Sequence, residues 1–166
     1  MMWNRAAVGL MNLRQQSCGG QSDAGLGVQS LQSLHPILRA QLLTESGSFA
    51  EALALFETHL NEALTQGLNS VASALLADQA WCRLQLSERD SAMADARAAQ
   101  AHLHQSLTCG DRAPAHSRLA QVFDALQRQT EATRHQQMAD VAWQGHADDQ
   151  AQLLEALAPL TPYGAA

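Results

Sequence analysis

Residues 47–52 read Gly-Ser-Phe-Ala-Glu-Ala, and this stretch returns in altered form at two later places along the chain. Residues 87–92 read Ser-Glu-Arg-Asp-Ser-Ala, and residues 127–132 read Gln-Arg-Gln-Thr-Glu-Ala. The step between successive copies is 40 residues. A fixed step of this length is typical of one supersecondary unit that is copied and stacked. Stacked units form an extended surface, so the repeat predicts a binding scaffold.

Small residues recur at the same step and indicate what the unit is. An alanine lies twelve residues before the last position of each copy, at Ala40, Ala80 and Ala120. Two antiparallel helices approach closely, at about 8–10 Å, where their facing side chains are small. The unit is therefore predicted to be a helical hairpin. Gly47 would end its first helix in a left-handed conformation, and Ser48 would cap its second helix.

The composition favours helices along the whole chain. Alanine, leucine and glutamine dominate the 166 residues, and only six residues are valine or isoleucine, so a β-sheet would have little to build with. The predicted fold is all-α: a right-handed superhelix of three hairpins followed by a C-terminal capping helix. Gly145 is expected to end the sixth helix, and residues 147–157 are expected to form the cap over the last hairpin.

Three segments are predicted from changes in composition. Residues 1–30 contain a polar, Gly/Ser-rich stretch and are expected to be mobile or docked on another surface. Residues 31–159 are expected to form the helical-repeat domain. Residues 160–166 are expected to be a tail beyond the last helix.

The repeats resemble the tetratricopeptide repeat family. In that family the second helix of each unit opens with Gly-x-aromatic-x-Glu-Ala, which residues 47–52 match, and Phe56 falls where the family has another aromatic residue. Glu131, Ala132 and Ala139 match in the third unit, whereas the second unit is weaker. The 40-residue period resembles the long-helix variant found in bacterial signalling proteins and cell-polarity adaptors. HEAT-type and other helical-hairpin repeats are the alternatives.

The resemblance implies a non-catalytic scaffold that binds a peptide or a partner helix in a concave groove lined by the first helix of each pair. Trp81 is the most conspicuous candidate on that surface, and the alternative is that it packs against the neighbouring hairpin. The residues expected to contact a partner are Ile37, Gln41, Ala77, Trp81, Leu84, Gln85, Gln121 and Asp124.

The charge of the chain limits the classes of partner. The net charge is −6, and all ten basic residues are arginines. A nucleic-acid partner or an anionic membrane would need a basic face, so neither is expected. The expected partner is a protein or peptide, and weak self-association is left open.

No motif predicts an enzyme, a cofactor or a metal site. His102 and His104 are two residues apart, so on a helix they would face different directions. The chain contains no Glu-x-x-His pair, no His-Glu-x-x-His motif and no phosphate-binding glycine loop. Its three cysteines lack the spacing of a disulfide framework or a metal site, which favours a reduced, cytoplasmic protein.

Two further classes of function stand beside the scaffold. One is a regulatory or sensory helical-repeat module of a bacterial signalling system. The other, which the sequence favours least, is a small-molecule-binding or catalytic helical bundle.

Overall fold

The computed structural model describes residues 26–103 and 107–158. Six α-helices and one short 3-10 helix account for most of these residues, and no β-strand occurs among them, which confirms the all-α class. None of the helices within the described ranges is long and apolar enough to cross a membrane. The helices are α1 (Leu26–Ser46), α2 (Phe49–Thr65), α3 (Ala72–Gln85), α4 (Arg89–Ala101), α5 (Cys109–Ala125) and α6 (Gln129–Leu157), and the 3-10 helix (Leu68–Val71) precedes α3.

Consecutive helices pack in pairs. The closest associations are those of α1 with α2, α3 with α4, and α5 with α6. The pairs are joined to one another mainly through α3, which packs broadly against α5 and also contacts α2 and, more narrowly, α1. The first helices of the three pairs therefore form a connected row with α3 at its centre.

The three turns within the pairs share one backbone geometry at the 40-residue step. Gly47, Ser87 and Gln127 all have positive φ, at 84°, 67° and 62°. In each turn the amide of the next residue donates to a carbonyl five positions earlier, at 2.9, 2.9 and 2.8 Å. This is the hydrogen bond of a Schellman turn, which ends a helix through one left-handed residue. Ser48 occupies the predicted N-cap position of α2, but its side chain makes no capping hydrogen bond.

The repeated alanines lie in the core. All six are at most 7% exposed, as expected for residues at which paired helices touch: Ala40, Ala52, Ala80, Ala92, Ala120 and Ala132. Two apolar clusters surround them. Phe56 is a large buried side chain of the cluster between α1, α2 and α3, and Phe123 has that place in the cluster formed by α3 to α6.

Some predicted boundaries differ from the structure. The helical domain was expected to start at residue 31, whereas α1 begins at Leu26, so Pro36 lies well inside this helix. Thr108 is the N-cap of α5, and its Oγ1 accepts from the Asp111 amide at 3.1 Å. The predicted behaviour of residues 1–25 and 160–166 concerns residues outside the described ranges.

The predicted capping helix is corrected by the structure. Gly145 does not end a helix, because α6 continues through it to Leu157. A Cβ atom at position 145 would lie 2.8 Å from Cys109 Sγ, so the glycine permits close approach of α6 to the start of α5. Residues 147–158 are all exposed, and Val141, earlier on the same helix, is 74% exposed. The end of α6 therefore projects from the paired helices, and does not fold back over them.

Because the end of α6 projects from the paired helices, its side chains are expected to contribute little to the stability of the fold. Leu154→Ala is expected to change the free energy of unfolding by less than about 0.5 kcal/mol, because Leu154 is 70% exposed. Leu119→Ala is the matched control and is expected to cost about 2–5 kcal/mol, because Leu119 is fully buried. Urea unfolding of both variants measures the difference. A cost above about 2 kcal/mol for Leu154→Ala would show that the end of α6 covers the core after all.

Candidate functional site

The structure divides the eight residues that were predicted to contact a partner into three groups. Ile37 and Ala77 are fully buried, so their side chains offer no surface to a partner in this conformation. Gln41, Trp81 and Leu84 are half-buried, and Gln85, Gln121 and Asp124 are exposed. The accessible members lie on α1, α3 and α5, and we call this face the first-helix surface.

Trp81 has both a buried and an open side. Its ring packs against the cluster that contains Phe123, together with Leu84 from the next turn of α3. The Arg118 guanidinium carbon lies 5.5 Å from the indole centroid, within the range of a cation–π contact. The indole is therefore held in one orientation while part of it stays accessible to solvent. The contact with Arg118 on α5 shows that Trp81 packs against the neighbouring helix pair.

Arg118 connects three helices through its guanidinium group. Its side chain is only 7% exposed, and its Nε donates to Asp78 Oδ1 on α3 at 2.7 Å. One terminal nitrogen donates to Glu45 at the end of α1, and the other donates to Gln121 on α5 at 2.8 Å. A buried guanidinium is tolerated because these oxygens neutralise it and satisfy its donors. The network fixes the relative positions of α1, α3 and α5 beside Trp81.

Sequence reasoning missed this ion pair, although a signal for it exists. Asp78 and Arg118 are separated by 40 residues, which is one period of the repeat. Equivalent positions in neighbouring units of a stacked array lie next to each other, so opposite charges at this step indicate a contact.

Cys82 lies on α3, next to Trp81, and is not a reactive group. It is fully buried, and its Sγ lies 3.3 Å from Thr44 Oγ1 on α1. Burial raises the pKa of the Cys82 thiol above its ordinary value, and this outweighs the hydrogen bond to Thr44. A protonated, inaccessible thiol is neither a nucleophile nor a metal ligand. Cys82 therefore acts in packing.

A second charged cluster joins α3 to the second helices of the pairs. Arg83 lies near three carboxylates, with nitrogen–oxygen distances of 3.0 Å to Glu57, 3.1 Å to Glu88 and 2.8 Å to Asp95. The Asp95 contact is an ion pair whose angles are poor for a hydrogen bond. Burial raises the pKa of Asp95 despite the nearby Arg83. This cluster ties α3 to α2 and α4, away from the first-helix surface.

The described residues contain no group of three or more histidine, cysteine, aspartate or glutamate side chains that could hold a metal ion. The first-helix surface offers one aromatic ring, one leucine side chain, three glutamine amides and one aspartate carboxylate. Such groups bind other molecules by stacking and hydrogen bonding. Comparison with known proteins gives no match, whether to a protein-family model, to a curated protein or to a solved structure.

Proposed function

We propose that this protein is a non-catalytic protein–protein interaction scaffold. Its three helix pairs would be tetratricopeptide-like hairpins stacked as a right-handed superhelix, and it would bind a peptide or a partner helix on the first-helix surface. The observation that carries the proposal is the half-buried Trp81 on the central helix, flanked by Leu84 and by exposed polar side chains. Central aromatic anchors with a polar rim are typical of protein interfaces.

The contacts of Trp81 support this role energetically. Because Arg118 and the core hold the indole, little side-chain entropy remains to be lost when a partner covers it. Gln41, Gln85 and Gln121 lie on the same three helices as the first-helix surface, and their amides can form hydrogen bonds with the backbone or polar side chains of a partner. An apolar anchor between amide groups suits an amphipathic helix or an extended peptide.

Substitution of Trp81 tests the proposal. Trp81→Ala is expected to weaken partner binding by about 2 kcal/mol, close to thirtyfold, because an aromatic anchor is lost. The partner is obtained by affinity capture from native lysate, and its affinity is then measured by calorimetry for each variant. Trp143→Ala is the matched control: Trp143 lies on α6, which is not part of the first-helix surface, and it donates to Ser117 Oγ at 3.0 Å. Unchanged affinity in a folded Trp81→Ala variant would show that the partner binds to another surface of the protein.

We place this scaffold in the cytoplasm. The support is that Cys82 and Cys109 are both free thiols, as proteins of a reducing compartment have.

A further inference from the structure

A cleft of about 600 Å³ lies between the end of α4, the start of α5 and the middle of α6, on a different part of the molecule from Trp81. Its lining includes Arg112 and His116 from α5, and Arg134, His135 and Val141 from α6. Clefts of about 300–1,000 Å³ are the size that small-molecule ligands occupy. The chemistry of the lining decides which ligands fit.

The cleft is electropositive in an acidic protein. The described lining residues include two arginines and no aspartate or glutamate, whereas the whole chain carries a net charge of −6. Arg112 Nε is buried and has no hydrogen-bond partner within the described part of the chain, and its Nη2 reaches only Cys109 Sγ, at 3.5 Å. Buried donors are nearly always satisfied, so this guanidinium has capacity for an acceptor from a ligand.

A directed chain of hydrogen bonds fixes the protonation of the two histidines. Arg97 donates to Gln100 Oε1 at 2.8 Å, which turns the Gln100 amide nitrogen toward His135 Nε2, also at 2.8 Å. His135 Nε2 must therefore accept, so Nδ1 carries the hydrogen and donates to His116 Nδ1 at 2.8 Å. His116 is left with a hydrogen on Nε2. Apart from the Gln137 amide and the Cys109 thiol, the polar groups that the lining offers to a ligand are donors: two guanidinium groups and one imidazole N–H.

The pKa values of both histidines agree with this positive environment. Burial lowers the pKa of His116 and of His135, and the charges of nearby arginines lower each further. Both imidazoles are therefore neutral at pH 7. The cleft holds its positive charge on Arg112 and Arg134.

The remaining wall of the cleft is apolar. Met138 and Val141 project from α6 into the lining and are 37% and 74% exposed, and Leu103 and Ala142 extend the same wall. The cleft therefore has a positively charged, hydrogen-bond-donating side and an apolar side. A ligand that matches both sides has an anionic head and an apolar body.

We propose that this cleft is a binding site for a small organic anion, with its oxyanion on Arg112 and Arg134 and its apolar body along Met138 and Val141. Guanidinium groups bind carboxylate and phosphate oxygens in the same bidentate manner, so the head group is defined as an oxyanion. This site is separate from the first-helix surface and does not depend on the function proposed for that surface.

Calorimetric titration with octanoate tests the site, with octanamide as the neutral analogue and acetate as the analogue without an apolar body. Octanoate is expected to bind with a dissociation constant in the millimolar range or tighter, and both analogues at least about tenfold more weakly. Octyl phosphate distinguishes the head groups: tighter binding than octanoate assigns the site to phosphates, and weaker binding assigns it to carboxylates. The proposal is overturned if octanoate and octanamide bind equally well. It is also overturned if octanoate and octyl phosphate both fail to bind.

Variants locate the binding in the cleft. Arg134→Gln is expected to weaken octanoate binding at least about tenfold, and because Arg134 is exposed this variant should fold normally. Arg112→Gln is expected to act in the same direction. Arg39→Gln, an exposed arginine on α1, is the matched control and should bind as the wild type does. Wild-type affinity in the Arg134→Gln variant would show that octanoate binds elsewhere.

The histidines give a second readout. A bound anion stabilises a nearby imidazolium, so saturating octanoate is expected to raise the pKa of His116 measured by NMR. Octanoate that binds without moving this pKa lies outside the cleft, which would refute the assignment.

Discussion

Arg118→Leu is expected to lower the free energy of unfolding by about 3–5 kcal/mol, because it leaves the nearly buried Asp78 carboxylate without its guanidinium counter-ion. The variant also loses the hydrogen bonds to Glu45 and Gln121 and the cation–π contact with Trp81. Urea unfolding gives the loss as a lower midpoint urea concentration, with an unchanged dependence of the unfolding free energy on urea concentration. This dependence must be compared between the variants, since a change in it would mean that the unfolded state has changed.

The double variant Arg118→Leu/Asp78→Leu separates the ion pair from general packing. Removing both charges together is expected to restore most of the stability, because neither charge is then buried alone. Arg128→Leu is the control for an exposed arginine: Arg128 is 49% exposed and pairs with Glu131 on the surface, so its loss should cost at most about 1 kcal/mol. Equal, small effects at positions 118 and 128 would contradict a structural role for the buried pair.

Acidification is expected to destabilise the protein by about 2–3 kcal/mol between pH 7 and pH 4.5 through His135. In the folded state the pKa of His135 is lowered from 6.5 to about 4, first by burial and then by the neighbouring His116, Arg134 and Arg97, with Glu131 opposing. As the pH falls, His135 is therefore protonated near pH 6.5 in the unfolded chain but only near pH 4 in the folded chain. Between these values the unfolded state holds more protons, so stability falls as the pH falls.

Thermal or urea unfolding across this range measures the effect, and His135→Gln should flatten the profile between pH 4.5 and 6.5. His116 contributes in the same direction, since its pKa is also lowered, by burial and then by Arg112 and Arg134. Asp95 acts in the opposite direction because its pKa is raised, and it remains in both proteins. His59→Gln, on α2, is the control and should retain the wild-type slope. A His135→Gln variant with an unchanged slope would show that other groups cause the acid sensitivity.

The parts of the fold that the sequence predicted are those with a local cause. The 40-residue step predicted the three helix pairs, and Gly47 predicted a left-handed turn because only glycine adopts that conformation without cost. Ser87 and Gln127 adopt the same conformation without a glycine, and only the period could have located them. Their strain is offset by the Schellman hydrogen bonds and by the packing of the helices that follow.

The misses have non-local causes. Gly145 resembles a helix stop in sequence, but the structure uses it for close contact with Cys109, 36 positions earlier. The face of α6 beyond it has an amphipathic pattern, yet its leucines are exposed because nothing in the described chain packs against them. For the first-helix surface, the sequence placed Trp81 on the first helix of the second pair, but it could not show that Arg118 would lie over the indole ring. The histidine pair between α5 and α6 likewise depends on helix packing.

The turns at Gly47, Ser87 and Gln127 also have a consequence for folding kinetics. Each turn lets its two helices meet within a short, contiguous part of the chain, so little loop-closure entropy opposes each pairing. The contact between Arg118 and Glu45, in contrast, spans 73 residues and requires all three first helices to be in place. The pairs can therefore form independently, and the Arg118 network becomes available only when they dock. Its carboxylates and guanidinium stay hydrated until that step, so their desolvation belongs to the final stage of folding.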